Sequence, residues 1–436
     1  MRILFISAEL IGSAIVHQLI KEGHNIRLHI SHEDRKACFE GFVDKAEDWR
    51  SQLEWVGKEG LIVFDDVVFE GVQDELREQG YRVFGGNAAS DRLELDRQHF
   101  HEILSSHGVP TLPSFDFETA DDAIAFLSQN LGFWVVKQSS HIGMLNYVGQ
   151  RADAKDVLDI LSLYKEKGIS PVHLQKRVEG IEIAVGRYFN GTDWVGPVEV
   201  NQEHKPLCHG NIGPLTAEMG TLMWYGEDEK NPIFSKVLGP LKPYLQEIDY
   251  RGDIDINCIA NADGIWPLEA TMRFGTPATE LQCELHNSPW GEFLSAVADG
   301  EPYELEYKQG FGLVVSVMLP PFPYAPEVFG NSNIETSTGI SLFFKEDLSL
   351  PEIDQIHFEE FSKTQRPDGS DRYFVAGKHG YALYVTGLGA TIDDARASAY
   401  SVVDKIILPK MLYRTDIGVE FDNGGRSALQ KWGYIT

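Results

Sequence analysis

The sequence predicts a multidomain protein of the α/β and α+β classes that begins with a doubly wound parallel sheet. Three observations support this prediction. The chain has 436 residues, and at roughly 150 residues per domain this length indicates about three domains. Short apolar runs alternate with helical patterns over the first part of the chain, which is typical of strand–helix–strand units in a parallel sheet. Strands and helices mix less regularly after that, and the last hundred or so residues are rich in strands.

The N-terminal pattern sets out the predicted parallel sheet. Residues 2–7 form a short apolar run, as in a strand buried on both faces. Residues 12–21 place their apolar side chains on one face of a predicted helix. The same alternation continues with strands predicted at residues 25–30, 60–64 and 81–84 and a helix at residues 71–79.

The rest of the chain reads as a smaller α+β region followed by mixed strands and helices. A charged helix is predicted over residues 91–107, ended by Gly108 and Pro110. Further strands are predicted at residues 133–137, 172–177, 181–189, 312–318 and 382–386, and helices at residues 119–127, 153–167, 232–248 and 393–407.

Acidic side chains dominate the composition. Lys and Arg number 38 and Asp and Glu number 66, which gives a formal net charge of −28. Hydrophobic residues make up 43% and charged residues 24%, close to the average of soluble globular proteins, so collagen-like, low-complexity and mainly disordered chains are excluded. Non-specific binding of nucleic acid requires a basic protein surface, and the net charge of this chain is strongly negative. We therefore expect small-molecule partners, and a local basic pocket for a phosphate is compatible with this charge.

Cysteine spacing and hydropathy indicate the cellular compartment in which we expect the protein. Cys38, Cys208, Cys258 and Cys283 form no C-x-x-C pair, and scattered free thiols fit a reducing compartment. Glu9 interrupts the first apolar run, and no segment approaches 18 apolar residues. We expect a cytoplasmic protein that does not span a membrane.

The densest set of polar side chains lies in residues 252–282. Asp253, Asp255 and Asn257 alternate and therefore share one face of a predicted strand. A turn and a returning strand bring Asn257 or Asp255 close to Glu269. Oxygen ligands that converge in this way suit Mg²⁺ bridging the phosphates of a nucleotide.

Three further residues have side chains that suit nucleotide chemistry. Arg273 follows the same hairpin. The N–H donors of its guanidinium group are suited to stabilising the negative charge that develops during phosphoryl transfer. Lys137 ends a predicted strand ahead of a loop of small residues, which is typical of phosphate binding. Glu182 follows a turn and can accept hydrogen bonds from ribose hydroxyls. An acidic hairpin with a structural arginine, and a solvated lysine at a strand end, remain the plain structural alternatives.

Five motifs follow one another in a recognisable order. They are GGNAASDRLELDRQHFHEILSSHGVPT at residues 85–111, QKRVEGIE at 175–182, NQEHKPLCHGNIGPLTAEMGT at 201–221, LEATMRFGTPATELQ at 268–282, and VTGLGATIDDARASAY at 385–400 with YRTDIG ending at Gly418. Together with Lys137, which matches a phosphate-binding lysine, this order resembles that of glycinamide ribonucleotide synthetase (phosphoribosylamine–glycine ligase), an ATP-grasp family. The chain is identified as a divergent member of this family.

The resemblance implies an architecture and a reaction. It implies a pre-ATP-grasp domain over residues 1–98, an ATP-grasp core over residues 99–330 with a B lobe near residues 115–190, and a mixed C-terminal domain over residues 331–436. The implied ligase uses ATP to phosphorylate a carboxylate, and an amine attacks the acyl phosphate to give an amide, ADP and phosphate. The implied substrates are a small carboxylate, glycine or another amino acid, and an amine, with ATP and Mg²⁺ as cofactors and Mn²⁺ as the alternative ion.

The resemblance also assigns roles to individual residues. ATP binding falls to Lys137, Gln175, Glu182 and Gly143; metal binding to Glu269, Asn257, Asp255 and Thr271; catalysis to Arg273 and Glu269; and the substrate site to His204, Lys205, Gly213 and Gly220.

Departures from the family pattern bear on the substrate. The family's GGREHA loop, which holds the phosphate of phosphoribosylamine, corresponds here to SAELIGSA at residues 7–14, and its GPE motif corresponds to Phe64, Asp65 and Asp66. Carboxylates at these positions repel a phosphate and favour a cationic amine, so Asp65 and Asp66 are candidate substrate residues.

The ATP-binding motifs depart as well. The glycine-rich AAGKGV loop corresponds to HIGMLNYV at residues 141–148, and Thr271 replaces an asparagine. Fewer glycines bring fewer backbone N–H groups to a phosphate.

Three interpretations therefore stay open. The chain is a ligase with a changed amine substrate, or an authentic phosphoribosylamine–glycine ligase of purine synthesis, or a degenerate nucleotide-binding or structural module without turnover. The sequence gives no direct sign of oligomeric state, and we expect a monomer or a homodimer.

Overall fold

A parallel sheet forms the N-terminal region of the protein, as predicted. The computed structural model describes residues 1–137, 146–226, 230–324 and 337–435. The first elements are β1 (Arg2–Ser7), α1 (Ser13–Lys21), β2 (Asn25–Ile30), β3 (Asp44–Lys45), α2 (Leu53–Val56), β4 (Leu61–Phe64), α3 (Val72–Glu78) and β5 (Arg82–Phe84). The strands pair in parallel in the order β3-β2-β1-β4-β5.

Both faces of this sheet are covered, which confirms the doubly wound prediction. Alternate residues of β1 point to opposite faces. Ile3 and Phe5 belong to the hydrophobic cluster that includes α1, whereas Leu4 and Ile6 belong to a second cluster that includes Leu76 of α3. A strand that is buried on both faces has a continuous run of apolar residues, which is why β1 could be predicted from the sequence.

A smaller antiparallel sheet follows. Its region contains α4 (Ala88–Leu95), α5 (Arg97–Ser106), β6 (Ser114–Phe117), α6 (Ala120–Leu127), β7 (Trp134–Lys137), β8 (Tyr147–Val148), α7 (Lys155–Lys167) and β9 (Val172–Lys176). The strands have the order β6-β9-β7-β8. Helices α6 and α7 pack against this sheet and form with it a separate hydrophobic core, in which Leu127 and Leu161 are fully buried. This sheet lies within the range predicted for the B lobe.

The single helix predicted over residues 91–107 is wrong. Asp96 has φ −115° and ψ 96°, so the chain leaves the helical conformation there and α4 ends. The Asp96 carboxylate accepts a hydrogen bond from the backbone N–H of His99 at 3.0 Å. An aspartate in this position is a strong N-cap, so it begins a second helix instead of continuing the first.

The central region builds most of a large antiparallel sheet. It contains β10 (Ile181–Asn190), β11 (Trp194–Glu203), β12 (Pro206–Cys208), β13 (Ile212–Leu215), β14 (Gly220–Gly226), α8 (Pro232–Val237), α9 (Lys242–Glu247), β15 (Arg251–Ala260), β16 (Ile265–Thr271), α10 (Ala278–Leu285), α11 (Trp290–Asp299) and β17 (Phe311–Met318). The helix predicted over residues 232–248 is divided in two by the 3₁₀ turn Gly239–Leu241, because Pro240 and Pro243 lack the N–H that a continuous helix requires.

The C-terminal region completes this sheet. It contains β18 (Phe343–Phe344), α12 (Leu350–Asp354), β19 (Ile356–Phe358), β20 (Phe361–Gln365), β21 (Asp371–Val375), β22 (Tyr381–Gly389), α13 (Ile392–Val403), β23 (Ile406–Ile407) and α14 (Arg426–Lys431). The helix predicted over residues 393–407 ends at Val403, because Ile406 pairs with Phe344 in a short strand ladder.

The large sheet has eight strands in the order β16-β15-β10-β11-β14-β17-β22-β19. It therefore joins strands from both sides of residue 330, and the boundaries near residues 98 and 330 stay predictions. No helix within the described ranges has the length and hydrophobicity needed to cross a membrane. The four cysteines are free.

Candidate active site

The pairing of β15 with β16 brings the predicted metal ligands together. In the register of this hairpin, Asn257 lies opposite Glu269 and Asp255 lies opposite Thr271. Residues opposite each other in an antiparallel pair present their side chains on the same face. The hairpin predicted from the alternation of polar residues is confirmed, and its four predicted ligands share one face of the large sheet.

Strand β10 lies between β15 and β11 and has small residues at the crossing point. Ala184 is opposite Asn257 on one side and Asn201 on the other, and Gly186 is opposite Asp255 and Glu199. With no large side chain between them, polar groups of β11 and β15 contact each other across β10. Asn257 donates from Nδ2 to both carboxylate oxygens of Glu203, each at 3.1 Å.

Lys205 is the centre of a carboxylate cluster on this face. Its Nζ lies 3.1 Å from Glu182 Oε1, 3.1 Å from Glu203 Oε2 and 3.0 Å from Glu269 Oε1. Burial alone would lower the pKa of Lys205, but the charges of the three glutamates raise it well above its usual range. Lys205 in turn holds the pKa of Glu269 far below its usual range. Lys205 and Glu269 thus stabilise each other's charged form.

The donor set around this cluster fits Mg²⁺. The Oδ1 atom of Asn257 is buried and has no hydrogen-bond partner in the described part of the chain, so it is an acceptor in need of a cation or a donor. Glu269 and Glu203 contribute carboxylate oxygens beside it. Hard oxygen ligands of this kind are those that Mg²⁺ prefers.

The residues predicted to bind ATP lie on the small sheet and at the start of β10. Lys137 ends β7, and its pKa is lowered to about 8 by burial and by Arg97 and Lys205, against the opposing effect of Glu269 and Glu182. Lys137 therefore lies within electrostatic reach of the carboxylate cluster.

The other predicted ATP residues are placed differently. Glu182 contacts Lys205 directly, at 3.1 Å. Gln175 is buried in β9, opposite Ser114 and Val135. Gly143 lies outside the described residues.

Arg273 lies where the hairpin meets the N-terminal region. Its Nε donates to Glu94 Oε1 at 3.0 Å and lies 3.5 Å from Asp66 Oδ1. Glu94 also accepts the backbone N–H of Met272 at 2.7 Å. These contacts fix the guanidinium beside the carboxyl end of β4, where Asp65 and Asp66 follow the strand.

Asp65 is hydrogen-bonded to the start of α1. Its Oδ2 accepts the hydroxyl of Ser7 at 2.7 Å and the backbone N–H of Gly12 at 2.9 Å. Burial and the neighbouring charge of Asp66 raise the pKa of Asp65 to about 7, although these two hydrogen bonds oppose the rise. A carboxylate of the protein itself thus fills the anion position at the N-terminus of this helix.

The remaining predicted substrate residues are not gathered around the cluster. His204 is buried, with Nδ1 3.2 Å from the Gly220 carbonyl and Nε2 accepting the N–H of Gly418 at 3.1 Å. Burial and Arg414 lower the pKa of His204 to about 4. His204 and Gly220 therefore fasten the C-terminal segment to the sheet, and Gly213 lies on the exposed β12–β13 hairpin.

Several polar residues of the site were not predicted from the sequence. Glu203, Asn201 and Glu94 contact predicted site residues, and Glu199 contacts Asn201. The signal for three of them is present in the alternation of β11, where residues 199, 201 and 203 share a face just as residues 253, 255 and 257 do in β15. The alignment of these two sets depends on β10 lying between them, which no local pattern indicates.

Comparisons with known proteins agree with this fold. No protein-family model matches the chain. A phosphoribosylamine–glycine ligase of Corynebacterium ammoniagenes is 27% identical over 392 residues, which are 88% of this chain and 85% of that protein. The corresponding protein of Leifsonia xyli is 28% identical over 356 residues, which are 80% of this chain and 81% of that protein.

Solved structures show the fold independently. The phosphoribosylamine–glycine ligase of Thermotoga maritima superimposes with a TM-score of 0.68 at 20% identity, covering 96% of this chain and 100% of that one. The N5-carboxyaminoimidazole synthetase of Staphylococcus aureus, solved with ADP, superimposes with a TM-score of 0.56 at 13% identity, covering 92% and 97% of the two chains. The chain therefore has the ATP-grasp fold, and its sequence is similar to that of phosphoribosylamine–glycine ligases over most of its length.

Proposed function

We propose that this protein is an ATP-dependent carbon–nitrogen ligase that joins a small carboxylate to an amine lacking a phosphate group. The observation that supports ligase chemistry best is the arrangement of Asn257 and Glu269 beside Lys205, with Lys137 within electrostatic reach. Similarity to phosphoribosylamine–glycine ligases over most of the chain supports the same reaction class.

The proposed reaction has two steps. The carboxylate oxygen of the acid attacks the γ-phosphorus of ATP, which forms the acyl phosphate and releases ADP. The amine nitrogen then attacks the acyl carbon, the bond from that carbon to the phosphate oxygen breaks, and phosphate and one proton leave. Positioning and charge neutralisation dominate such chemistry.

The residues predicted to bind ATP and the metal ion, and Arg273, keep a proposed role in these steps. Lys137 and Gly143 hold the phosphates of ATP, and Glu182 and Gln175 belong to the nucleoside side of the site. Glu269, Asn257, Asp255 and Thr271 would hold Mg²⁺ or Mn²⁺, joined by Glu203. The bound ion neutralises phosphate charge. Arg273 stabilises the charge that develops on the transferred group.

The change of amine is supported by Asp65. A phosphate-bearing amine needs free backbone N–H groups at a helix N-terminus, and here the Gly12 N–H already binds the Asp65 carboxylate at 2.9 Å. Asp66 adds a second carboxylate beside it. A cationic amine without phosphate fits these charges.

A thermal shift with ATP and Mg²⁺ tests the nucleotide site. Binding to the native state stabilises it by about 2.7 kcal/mol when the ligand is at a hundredfold excess over its dissociation constant. We expect a Mg²⁺-dependent shift that is lost in Glu269→Gln and in Lys137→Met. Lys165→Met is the matched control, because Lys165 lies in the same lobe and forms a solvent-exposed ion pair with Asp121.

The outcomes separate the alternatives. A shift in the wild type followed by ADP release with a phosphate-free amine supports the proposal. The second candidate function is that of an authentic phosphoribosylamine–glycine ligase, which the names of the relatives favour. Growth of a purine auxotroph that lacks this ligase, when it expresses the present protein, would support that second candidate. No shift at millimolar ATP would indicate a degenerate module.

A further inference from the structure

Two segments that are far apart in the sequence meet near the carboxyl end of β1. The first follows β2 and contains His32 and Asp34, and the second is the turn between β21 and β22, which contains His379. Among the described residues, these are the only three His, Cys, Asp or Glu side chains whose ligand atoms all lie within 4.8 Å of one another. The two imidazole rings meet edge to face, with centroids 5.4 Å apart. We call this group the histidine–aspartate cluster.

The first segment is attached to the parallel sheet through its backbone. The N–H of His32 donates to the Ala8 carbonyl at 3.2 Å, and the N–H of Arg35 donates to the His32 carbonyl at 3.0 Å. Residues Glu33–Arg35 form a single 3₁₀ turn that begins directly after His32. The turn therefore fixes the backbones of His32 and Asp34, whereas the side chain of His32 is exposed.

The second segment is attached to the buried carboxylate of Glu360. The backbone N–H of His379 donates to Glu360 Oε1 at 3.3 Å, and that of Gly380 donates to Glu360 Oε2 at 2.8 Å. Gly380 has φ +92°, and an added Cβ atom would lie 1.9 Å from the carbonyl oxygen of Leu319. Only glycine fits this position, so the turn has one conformation directly after His379.

Arg35 joins the two segments to each other. It is 3% exposed, donates to Glu359, and its Nη2 lies 3.7 Å from Glu360 Oε1. Buried ion pairs of this kind keep their partners in a fixed arrangement, because separating them leaves an uncompensated buried charge. The backbones that bear the histidine–aspartate cluster are thus brought together by groups that are not themselves ligands.

The surroundings of His379 are those of a metal-binding histidine. Its Nδ1 is buried, lies 3.5 Å from Glu360 Oε1, and has no hydrogen-bond partner in the described part of the chain. Metal-binding histidines ordinarily direct the ring nitrogen that does not bind the metal toward a carboxylate or a carbonyl group. Glu360 is such a carboxylate, and a small rotation of the ring completes the hydrogen bond.

Lys378 is a cation already present beside Asp34. Its Nζ lies 2.5 Å from Asp34 Oδ1, and the two side chains are 52% and 28% exposed. Exposed pairs of this kind are weak, and a carboxylate has lone pairs on both oxygens. Asp34 can therefore bind a metal ion while it keeps the contact with Lys378, or after it has given that contact up.

Two imidazoles and one carboxylate suit a different ion from the oxygen ligands near Glu269. Imidazole suits Zn²⁺ and other transition-metal ions, whereas Mg²⁺ prefers oxygen. Three protein ligands and one open position are a common Zn²⁺ arrangement, and bonds of about 2.0–2.1 Å place tetrahedral ligand atoms about 3.4 Å apart. Separations of up to 4.8 Å therefore have to shorten by about 1.4 Å or less, and rotation of the exposed His32 side chain contributes to this change.

We propose that the histidine–aspartate cluster binds a Zn²⁺ ion that joins the segment after β2 to the turn between β21 and β22. The protein ligands are His32, Asp34 and Nε2 of His379, whose Nδ1 bonds Glu360, and water fills the fourth position. The ion fastens the N-terminal parallel sheet to the C-terminal region. It takes no part in the proposed ligase reaction, so this proposal stands or falls independently of that reaction.

Isothermal titration of the metal-free, full-length protein with ZnCl₂ tests the proposal without any need for turnover. We expect the wild type to bind one equivalent of Zn²⁺, with an affinity at least tenfold weaker in His32→Ala and in His379→Ala. Millimolar Mg²⁺ should leave the Zn²⁺ affinity of the wild type unchanged. Zn²⁺ should also raise the unfolding temperature of the wild type, EDTA should reverse this rise, and neither variant should show it.

The β12–β13 hairpin provides the matched control. Cys208 is an exposed free thiol, and the neighbouring His209 is 70% exposed and lies 3.8 Å from Asp416 Oδ2. This is a second exposed set of Zn²⁺-binding residue types, but it lacks three converging ligand atoms. The double variant Cys208→Ser, His209→Ala should therefore retain the tight site of the wild type.

Other outcomes overturn the proposal. These are a wild type that binds no Zn²⁺ tightly, variants of His32 and His379 that bind it as the wild type does, and loss of the tight site in the Cys208→Ser, His209→Ala control. Displacement of Zn²⁺ by millimolar Mg²⁺ would equally contradict a site built on imidazole. If circular dichroism shows that His379→Ala is unfolded, His32→Ala decides, because the His32 side chain is exposed.

Discussion

Lys205 is the residue whose removal most directly tests the carboxylate cluster. Its Nζ lies within 3.1 Å of Glu182, Glu203 and Glu269. We expect Lys205→Met to lower the free energy of unfolding by about 2 kcal/mol, because the carboxylates lose their common partner. The loss stays below that of a fully buried pair, since Glu182 and Glu269 are 33% and 40% exposed. Urea denaturation measures it.

An exposed ion pair provides the control for this variant. Lys165 and Asp121 pair at 2.6 Å, with side chains 58% and 63% exposed. Exposed pairs contribute about 0–1 kcal/mol, so Lys165→Met should change stability little. If Lys205→Met is as stable as Lys165→Met, the cluster does not hold the sheet together as described.

Asp65 gives the protein a specific pH dependence. Its pKa is raised from 3.8 to about 7, chiefly by burial, so the native state holds the protonated form more tightly than the unfolded chain does. The stability that this group contributes is fully present below pH 3.8 and is lost as the pH rises through about 7. Asp65→Asn keeps an oxygen acceptor for Ser7 and Gly12 and does not titrate.

The free energy of unfolding of Asp65→Asn, relative to the wild type, should therefore increase between pH 5 and pH 8. A change of at least about 1 kcal/mol is expected, since one pKa unit corresponds to about 1.4 kcal/mol. Urea denaturation at both pH values measures the change, with Asp159→Asn on the exposed face of α7 as control. Stability curves that stay parallel for wild type and variant would contradict the titration of Asp65.

At the scale of elements, the break between α4 and α5 depends on one side chain. Asp96 Oδ1 accepts the His99 N–H at 3.0 Å and begins α5. We expect Asp96→Ala to lower the free energy of unfolding by about 1 kcal/mol, the usual effect of removing an N-cap. Asp96→Ser, which retains a capping oxygen, should recover most of it. Thermal unfolding of the two variants side by side measures the difference, and equal losses would assign the effect to something other than the cap.

The elements also show how far local sequence patterns extend. Four of the five strands of the N-terminal sheet, and the β15–β16 hairpin, were predicted because their periodicity is a local property. The two-residue strand β3 (Asp44–Lys45) is too short to show such a pattern and was not predicted. The helices predicted over residues 91–107 and 232–248 were too long, because a cap at Asp96 and the prolines near Gly239 interrupt the chain without disturbing the apolar pattern. Capping and proline signals should outweigh helical periodicity at such points.

At the scale of the whole molecule, the contacts that were missed are those between distant parts of the chain. Arg35, after β2, is buried against Glu359, and its Nη2 lies 3.7 Å from Glu360 Oε1, both in the C-terminal region. The backbone N–H of Phe39 donates to the Phe361 carbonyl at 2.8 Å. Motif order implied the active-site residues through family resemblance, but these contacts, and the alignment of β11 with β15, arise only once the whole chain is folded.

The position of β22 in the large sheet has a consequence for protein synthesis. β17 is buried along its length and pairs on one side with β14 and on the other with β22, whose first residue is Tyr381. A growing polypeptide on the ribosome therefore presents the apolar edge of β17 before its partner has been translated. Unpaired strand edges promote aggregation, so the nascent protein is exposed to misassembly during translation of the residues between these two strands.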